Sequence, residues 1–330
     1  MRRIIIMMFV VLYLSGSTRA QDESDRSCPC LESSIRFDIS SIEKIYLHPE
    51  EILADPENFW QSDEAYRLTQ LWHEQVYLQP DKNKWIKEIE KISNISQAER
   101  ENHPEYISAM KLAEIEKRFV DKAVPHLCEF LPDETDLSTT LYFTTKIMAA
   151  GFQRDGKIVI NIINQDLLNL FVHEIYHIGF SNIYKKYVTE EMERDPVKLI
   201  HLMIQIEGMA TYAAYKGLEE FPETGDKERS LIALDYELLS DQDEIKRLHS
   251  ELIQLYRDVA DLDSNAVRSR SWELGNNKRA YYVVGAFMAG TIDEKSGREV
   301  LVESIKQGPG AFFDAYNTVA DDKIKINLPY

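Results

Sequence analysis

Cysteine is scarce in this chain: three residues, Cys28, Cys30 and Cys128, among 330. Their spacing carries no metal-site pattern. In an oxidising compartment Cys128 can pair with Cys28 or with Cys30, which would tether the start of the chain to a helical region and leave one thiol free. Basic residues are also in deficit. Lys and Arg number 38 against 56 Asp and Glu, a net charge of −18. Such a surface disfavours nucleic acid and anionic membranes as partners. It suits cationic substrates, but solubility is its plainer role. Long hydrophobic runs are missing beyond the first twenty residues, so no other segment reads as membrane-spanning. No internal repeat and no low-complexity segment is present.

The N-terminus has the layout of a signal peptide over residues 1–20. Arg2 and Arg3 precede an apolar core from Ile4 to Leu14, and Thr18 and Ala20 occupy the small-residue positions before a cut after Ala20. The core is too short to span a bilayer comfortably. Cys28, preceded by Asp25, Arg26 and Ser27, lacks the context of a lipid-anchor site. The expected product is secreted or periplasmic, with no membrane anchor after cleavage; removing Arg2, Arg3 and Arg19 takes its charge from −18 to −21. Its length suits one large domain or two closely joined ones.

What is present is concentrated in Phe171-Val-His173-Glu174-Ile-Tyr-His177. Two histidines four apart lie one turn above each other on a helix, so both imidazoles can reach one metal ion. Glu174, beside the first, can take a proton from the attacking water. That pattern points to zinc hydrolases, mostly peptidases. The plain alternative is an amphipathic helix with two satisfied histidines. The surroundings favour the first reading. Gly156 to Ile162 reads as a short β-branched strand. Asn164 can cap the next helix, with Gln165 and Asp166 in its first turn. Leu167, Leu168, Leu170, Phe171, Val172, Ile175 and Ile178 are apolar, and Gly179 is a plausible stop.

Catalytic zinc usually has three protein ligands. Phe180 and Ile183 stand where a metzincin would place its glycine and third histidine, and Val197 where a thermolysin-like spacing would place a glutamate. The acidic run Glu190, Glu191, Glu193 and Asp195 reads as a solvated helix or loop ending at Pro196. Glu207 is the better candidate. Its helical neighbours Met203, Ile204, Ala210 and Thr211 form an apolar face, on which a carboxylate is costly unless paired or bound to metal. Gly208 and Ala210 would let this helix approach the first closely. His201 is the rival ligand, and a salt bridge to an arginine is the plain alternative for Glu207.

His-Glu-x-x-His followed by Glu207-Gly208-Met209-Ala210 resembles gluzincin-type peptidases, especially bacterial families of zinc-dependent peptidases. The resemblance covers roughly residues 139–317. It includes the strand before the motif and the later helix from Arg279 through Tyr282 and Gly285 to Ala289. It implies a zincin fold, Zn2+ held by His173, His177 and Glu207, Glu174 as general base, and a peptide or protein substrate. The interval to Glu207 is longer than in the best-known gluzincins, and the Gly-Ala-Met-Glu-Asn signature of some exopeptidases is missing.

The expected fold class is α+β and mostly helical: a zincin-like region over 136–330, with a small sheet beside the motif helix, preceded by an N-terminal helical region over 21–135. In the latter, residues 21 to about 37 read as irregular. Pro49, Pro56, Pro80 and Pro104 mark turns, and Pro104 to Val124 has helical periodicity. Trp60, Trp72 and Trp85 read as core anchors, His73 and His126 as structural. Thr139 to Thr145 reads as a strand. Gly308-Pro309-Gly310 is a turn before a terminal helix carrying Phe312, Phe313 and Tyr316.

An amide hydrolase also needs a donor for the developing oxyanion. Arg279 and Tyr282, three apart, are the candidates, with Tyr281 turned into packing. The plain alternatives are an ion pair of Arg279 with Glu207 or another carboxylate, and a core position for Tyr282. Two rivals to a peptidase stay open. One is a zincin-fold binding or scaffold protein without turnover, against which the intact Glu174 argues. The other is a zinc hydrolase acting on an ester or a cell-wall amide.

Overall fold

A computed structural model describes residues 30, 33–75, 82–145, 147, 151–162, 167–184, 195–217, 231–321 and 324–325. The signal-peptide segment, Cys28, the acidic run 190–193 and the expected cap Asn164 with Gln165 and Asp166 lie outside them.

A strand opens the described chain, β1 (Ile35–Asp38). Seven described helices follow: α1 (Ser40–Leu47), α2 (Pro49–Ala54), α3 (Pro56–Ser62), α4 (Glu64–Gln75), α5 (Lys82–Ser93), α6 (Gln97–Glu101) and α7 (Pro104–Cys128). Pro49, Pro56 and Pro104 each begin a helix, where a missing N–H costs nothing and the fixed φ already suits the helix. Trp60 and Trp85 are buried with Tyr66 in an edge-to-face cluster. Trp72 is half-buried and stacks on Phe152. His126 meets the Ala213 carbonyl at 2.8 Å, and His73 is buried.

Three further strands come next: β2 (Thr139–Thr144), β3 (Gly151–Arg154) and β4 (Lys157–Asn161). The sheet order is β1-β2-β4-β3. The first two pairings are parallel, and β3 is antiparallel to β4 at the edge. β1 lies within the stretch expected to be irregular. Four residues carry little signal alone, and this strand is defined by its partner, Ile35 pairing with Thr139 and Asp38 with Tyr142. Alternation sorts the sheet's two faces. Leu141, Phe143, Ile158 and Ile160 join the main core, whereas Tyr142, Val159 and Phe152 pack with Ala65 and Leu68 of α4. Both faces are therefore covered by helices, as parallel strands require. The sheet joins residues before and after position 135, and the Cys30–Cys128 disulfide ties the start of the described chain to the end of α7.

Helices fill the remainder: α8 (Leu167–Tyr184), α9 (Pro196–Gly217), α10 (Leu231–Ser240), α11 (Gln242–Asp258), α12 (Ser264–Trp272), α13 (Ala280–Ser296), α14 (Arg298–Gln307) and α15 (Pro309–Val319). The fold is α+β and mostly helical, as the sequence implies. Helix α8 does not stop at Gly179. That glycine is internal, and a Cβ there would lie 2.6 Å from the Leu131 side chain and 2.7 Å from that of Leu137. Its role is close packing against the loop before β2. Gly208 also serves a partner other than the expected one. It meets Gly285, so α9 crosses α13 backbone to backbone, and a Cβ on either glycine would collide with the other helix. The buried Phe312, Phe313 and Tyr316 seat α15 on the core. Among the described residues no helix is long and apolar enough to cross a membrane.

Candidate metal centre

Helices α8 and α9 are apolar around most of their circumference, which commits both to the interior. Polar side chains on such helices must find partners inside. Helix α8 presents His173 and His177 on one face, their rings 4.7 Å apart and perpendicular. The two Nε2 atoms are 3.1 Å apart. Glu207 on α9 brings its Oε2 to 3.3 Å from each. Ligand atoms around a tetrahedral zinc ion, with bonds of about 2.0–2.1 Å, stand about 3.3 Å from one another. The three side chains have that spacing before any ion is added, and all their donor atoms lie within 4.8 Å of one another. The Glu207 Oε2 is buried and makes no well-aligned hydrogen bond despite its two near neighbours. Three such atoms converging on one point fit a metal ion. His177 Nδ1 is likewise buried without a hydrogen bond.

The electrostatics agree. Burial pulls His173 down to about 4, which keeps its imidazole neutral and able to donate a lone pair. Burial would lower His177 too, but the Glu207 and Glu174 carboxylates outweigh it and push that ring up. Glu207 resists the effect of burial because both histidines hold its carboxyl far below the usual range. A cluster that retains one proton to offset its carboxylates is a cluster that a dication can enter by displacing that proton.

Glu174 is buried beside the group and is pushed up to about 7, with burial as the main cause. A bound cation draws such a carboxyl back down. Room for it comes from β3: a Cβ at Gly151 would sit 3.4 Å from the Glu174 Cγ and Oε1. The first residue of the edge strand thus lies against the candidate general base.

Tyr282, half-buried on α13, lies along the imidazole of His173, ring centroids 5.9 Å apart and planes 19° from parallel. Arg279 does not share a regular helical face with it. Arg279 is the residue before α13, in a left-handed conformation with φ 63°. Its guanidinium covers the Tyr282 ring at 3.3 Å and is held by Asp235 of α10 through two hydrogen bonds of 2.7 and 2.6 Å. The ion-pair partner is thus Asp235, not Glu207. Tyr281 is buried, its ring against Gly275. His201 stands apart from the cluster, between the rings of Tyr256 and Phe313 at 5.1 and 5.0 Å. Sequence reasoning passes over Asp235, although the argument that singles out Glu207 applies to it: a carboxylate directly after the apolar run Leu231-Ile-Ala-Leu234, on a helix that must be partly buried.

No curated protein and no solved structure matches this chain. A family model with the description "Putative zinc dependent peptidase (DUF5700)" matches residues 33–324. That span holds every residue of the cluster and nearly all of the described fold, and the family's description agrees with the resemblance read from the motifs. The chain belongs to this family of putative zinc-dependent peptidases.

Proposed function

We propose that the protein is an exported zinc metallopeptidase of gluzincin type, with His173, His177 and Glu207 holding the ion and Glu174 as general base. The observation that carries this reading is the triangle of two Nε2 atoms and one Oε2, with sides of 3.1 to 3.3 Å, and a second carboxylate beside it. When bound, zinc supplies Lewis acidity to a water and to the scissile carbonyl. Glu174 accepts the proton of the attacking water and returns it to the leaving amine. Tyr282 offers a phenol to the developing oxyanion. β3 is the last strand of the described sheet, and it begins at Gly151 beside Glu174. An extended peptide laid along that edge would bring its backbone past the general base.

Native mass spectrometry after zinc reconstitution, followed by digestion of a broad peptide library, tests the proposal. One zinc per chain and cleaved peptides are expected. A stoichiometry near zero removes the metal reading. Bound zinc with cleavage of esters or cell-wall amides but of no peptide removes the peptidase reading. Export is tested separately by N-terminal sequencing of the protein recovered outside the cytoplasm, with Gln21 as the expected first residue.

A further inference from the structure

Arg279 carries three features that no metal-ligand set requires. It is one of two described non-glycine residues with positive φ, and it closely follows a π-helical turn, Glu273–Asn277. Irregular backbone of this kind persists only where its surroundings impose it. Its guanidinium is buried and bonded by two donors to Asp235, itself buried. The flat face of the same guanidinium lies 3.3 Å from the centre of the Tyr282 ring. The same ring also neighbours the His173 imidazole, centroids 5.9 Å apart and planes 19° from parallel. The four side chains come from three helices and the turn before α13, and they form one contiguous stack ending at the candidate metal cluster.

We propose that Asp235 and Arg279 are positioning residues for Tyr282. The ion pair fixes the guanidinium plane, and the guanidinium holds the phenol ring against His173. Two consequences follow from the chemistry of the parts. Two of the three guanidinium nitrogens are committed to Asp235 and the guanidinium lies over Tyr282, so the contacts of Arg279 favour acting through Tyr282. The planar, delocalised cation is essential, because an ammonium can replace the charge but not the face. The proposal rests on the zinc-peptidase reading for its catalytic consequence alone; the clamp on the ring exists with or without metal.

The experiment places 3-fluorotyrosine at position 282 and records its fluorine resonance in metal-free and zinc-reconstituted protein, alongside the zinc content and steady-state kinetics of the corresponding unlabelled proteins. A single resonance displaced from that of the free amino acid is expected in the parent. Arg279→Lys, which keeps the charge opposite Asp235, should move or broaden it. Asp235→Asn should do the same. Both variants should retain one zinc and lose about 10–100-fold in kcat, the range typical of residues that support a metal site, with KM little changed. Asp235→Glu should recover part of the loss. An unmoved resonance in Arg279→Lys overturns the proposal, even if Asp235→Asn fails to fold. An unchanged kcat with a moved resonance overturns the catalytic half of it. If the parent itself takes up no zinc, the zinc reading falls while the fluorine measurement on metal-free protein still decides the clamp.

Discussion

Helix α9 buries two titratable side chains six positions apart, and they could hardly differ more. His201 lies between Tyr256 and Phe313 with its Nε2 unbonded, and burial pulls it down to about 4. Glu207 faces two imidazoles at 3.3 Å, which hold it ionised. Burial is common to both, so burial alone does not make a site. What separates them is convergence: His201 has aromatic faces around it and Glu207 has donors. An isolated buried histidine is inert and neutral, whereas donors aimed at one point from two helices create a demand for a cation.

The largest effect should come from the residue that does chemistry without holding the ion. Glu174→Gln is expected to keep one zinc and to lower kcat/KM by about 10²–10⁴-fold, since an amide cannot accept the water's proton. Zinc content and turnover measured on one sample check it, and loss of the metal would make Glu174 a structural residue. Next, the two positions on α9 can be compared directly. Glu207→Gln should weaken zinc affinity on the order of 10²-fold or more, beyond the roughly 10–100-fold typical of supporting residues. His201→Gln should leave it within about threefold. Zinc titrations with a competing chelator decide, and the reverse ranking would transfer the third ligand to His201.

A third prediction concerns the backbone beside Glu207. Gly208→Ala drives a methyl into the Gly285 backbone and should destabilise the metal-free protein by about 1–3 kcal/mol, the usual cost of overpacking. Denaturant unfolding measures it; an unchanged midpoint would mean that α9 and α13 can move apart freely.

The smallest effect is a pH dependence at His201. The folded pKa of His201 lies below its unfolded value of about 6.5, so the unfolded chain binds a proton that the native state refuses. Stability therefore falls as pH drops from about 6.5 toward 4, and this group contributes nothing above that window. His201→Gln should abolish about 1–2 kcal/mol of the stability lost between pH 7.5 and 5 in metal-free protein, because each tenfold difference in proton affinity between the two states is worth about 1.4 kcal/mol. Other buried histidines keep their share, so the slope should flatten and not vanish. An unaltered slope would mean that His201 is not the group titrating.

The same contrast explains what the sequence makes legible. The motif on α8 stands out because a four-residue interval encodes a shared helical face, and Glu207 because a carboxylate among Met203, Ile204 and Ala210 advertises an unmet need. β2 and β4 announce themselves through β-branched and aromatic content. The rest depends on partners distant in sequence. β1 is a strand through its pairing with β2. Gly179 has the look of a helix stop, and only the loop bearing Leu131 and Leu137 lying against it explains why it is internal. Gly208 marks a contact surface in the sequence, but its neighbour is α13 and not α8, because a small residue states how close another backbone comes, not which one. Cys28 and Cys30 are equally open in the sequence as partners of Cys128, and the fold pairs Cys30 with it.

The parallel pairing of β1 with β2 has a kinetic corollary. Strands that sit side by side in the finished sheet are separated in the chain by seven described helices, each able to form early from local contacts. The sheet beneath them must wait for a long loop to close, and loop closure of that kind is slow and entropically costly. Helical signal in a stopped-flow refolding experiment should therefore develop well ahead of the burial of Trp72 against Phe152, and during that interval the β2 edge is exposed to any other strand that meets it first.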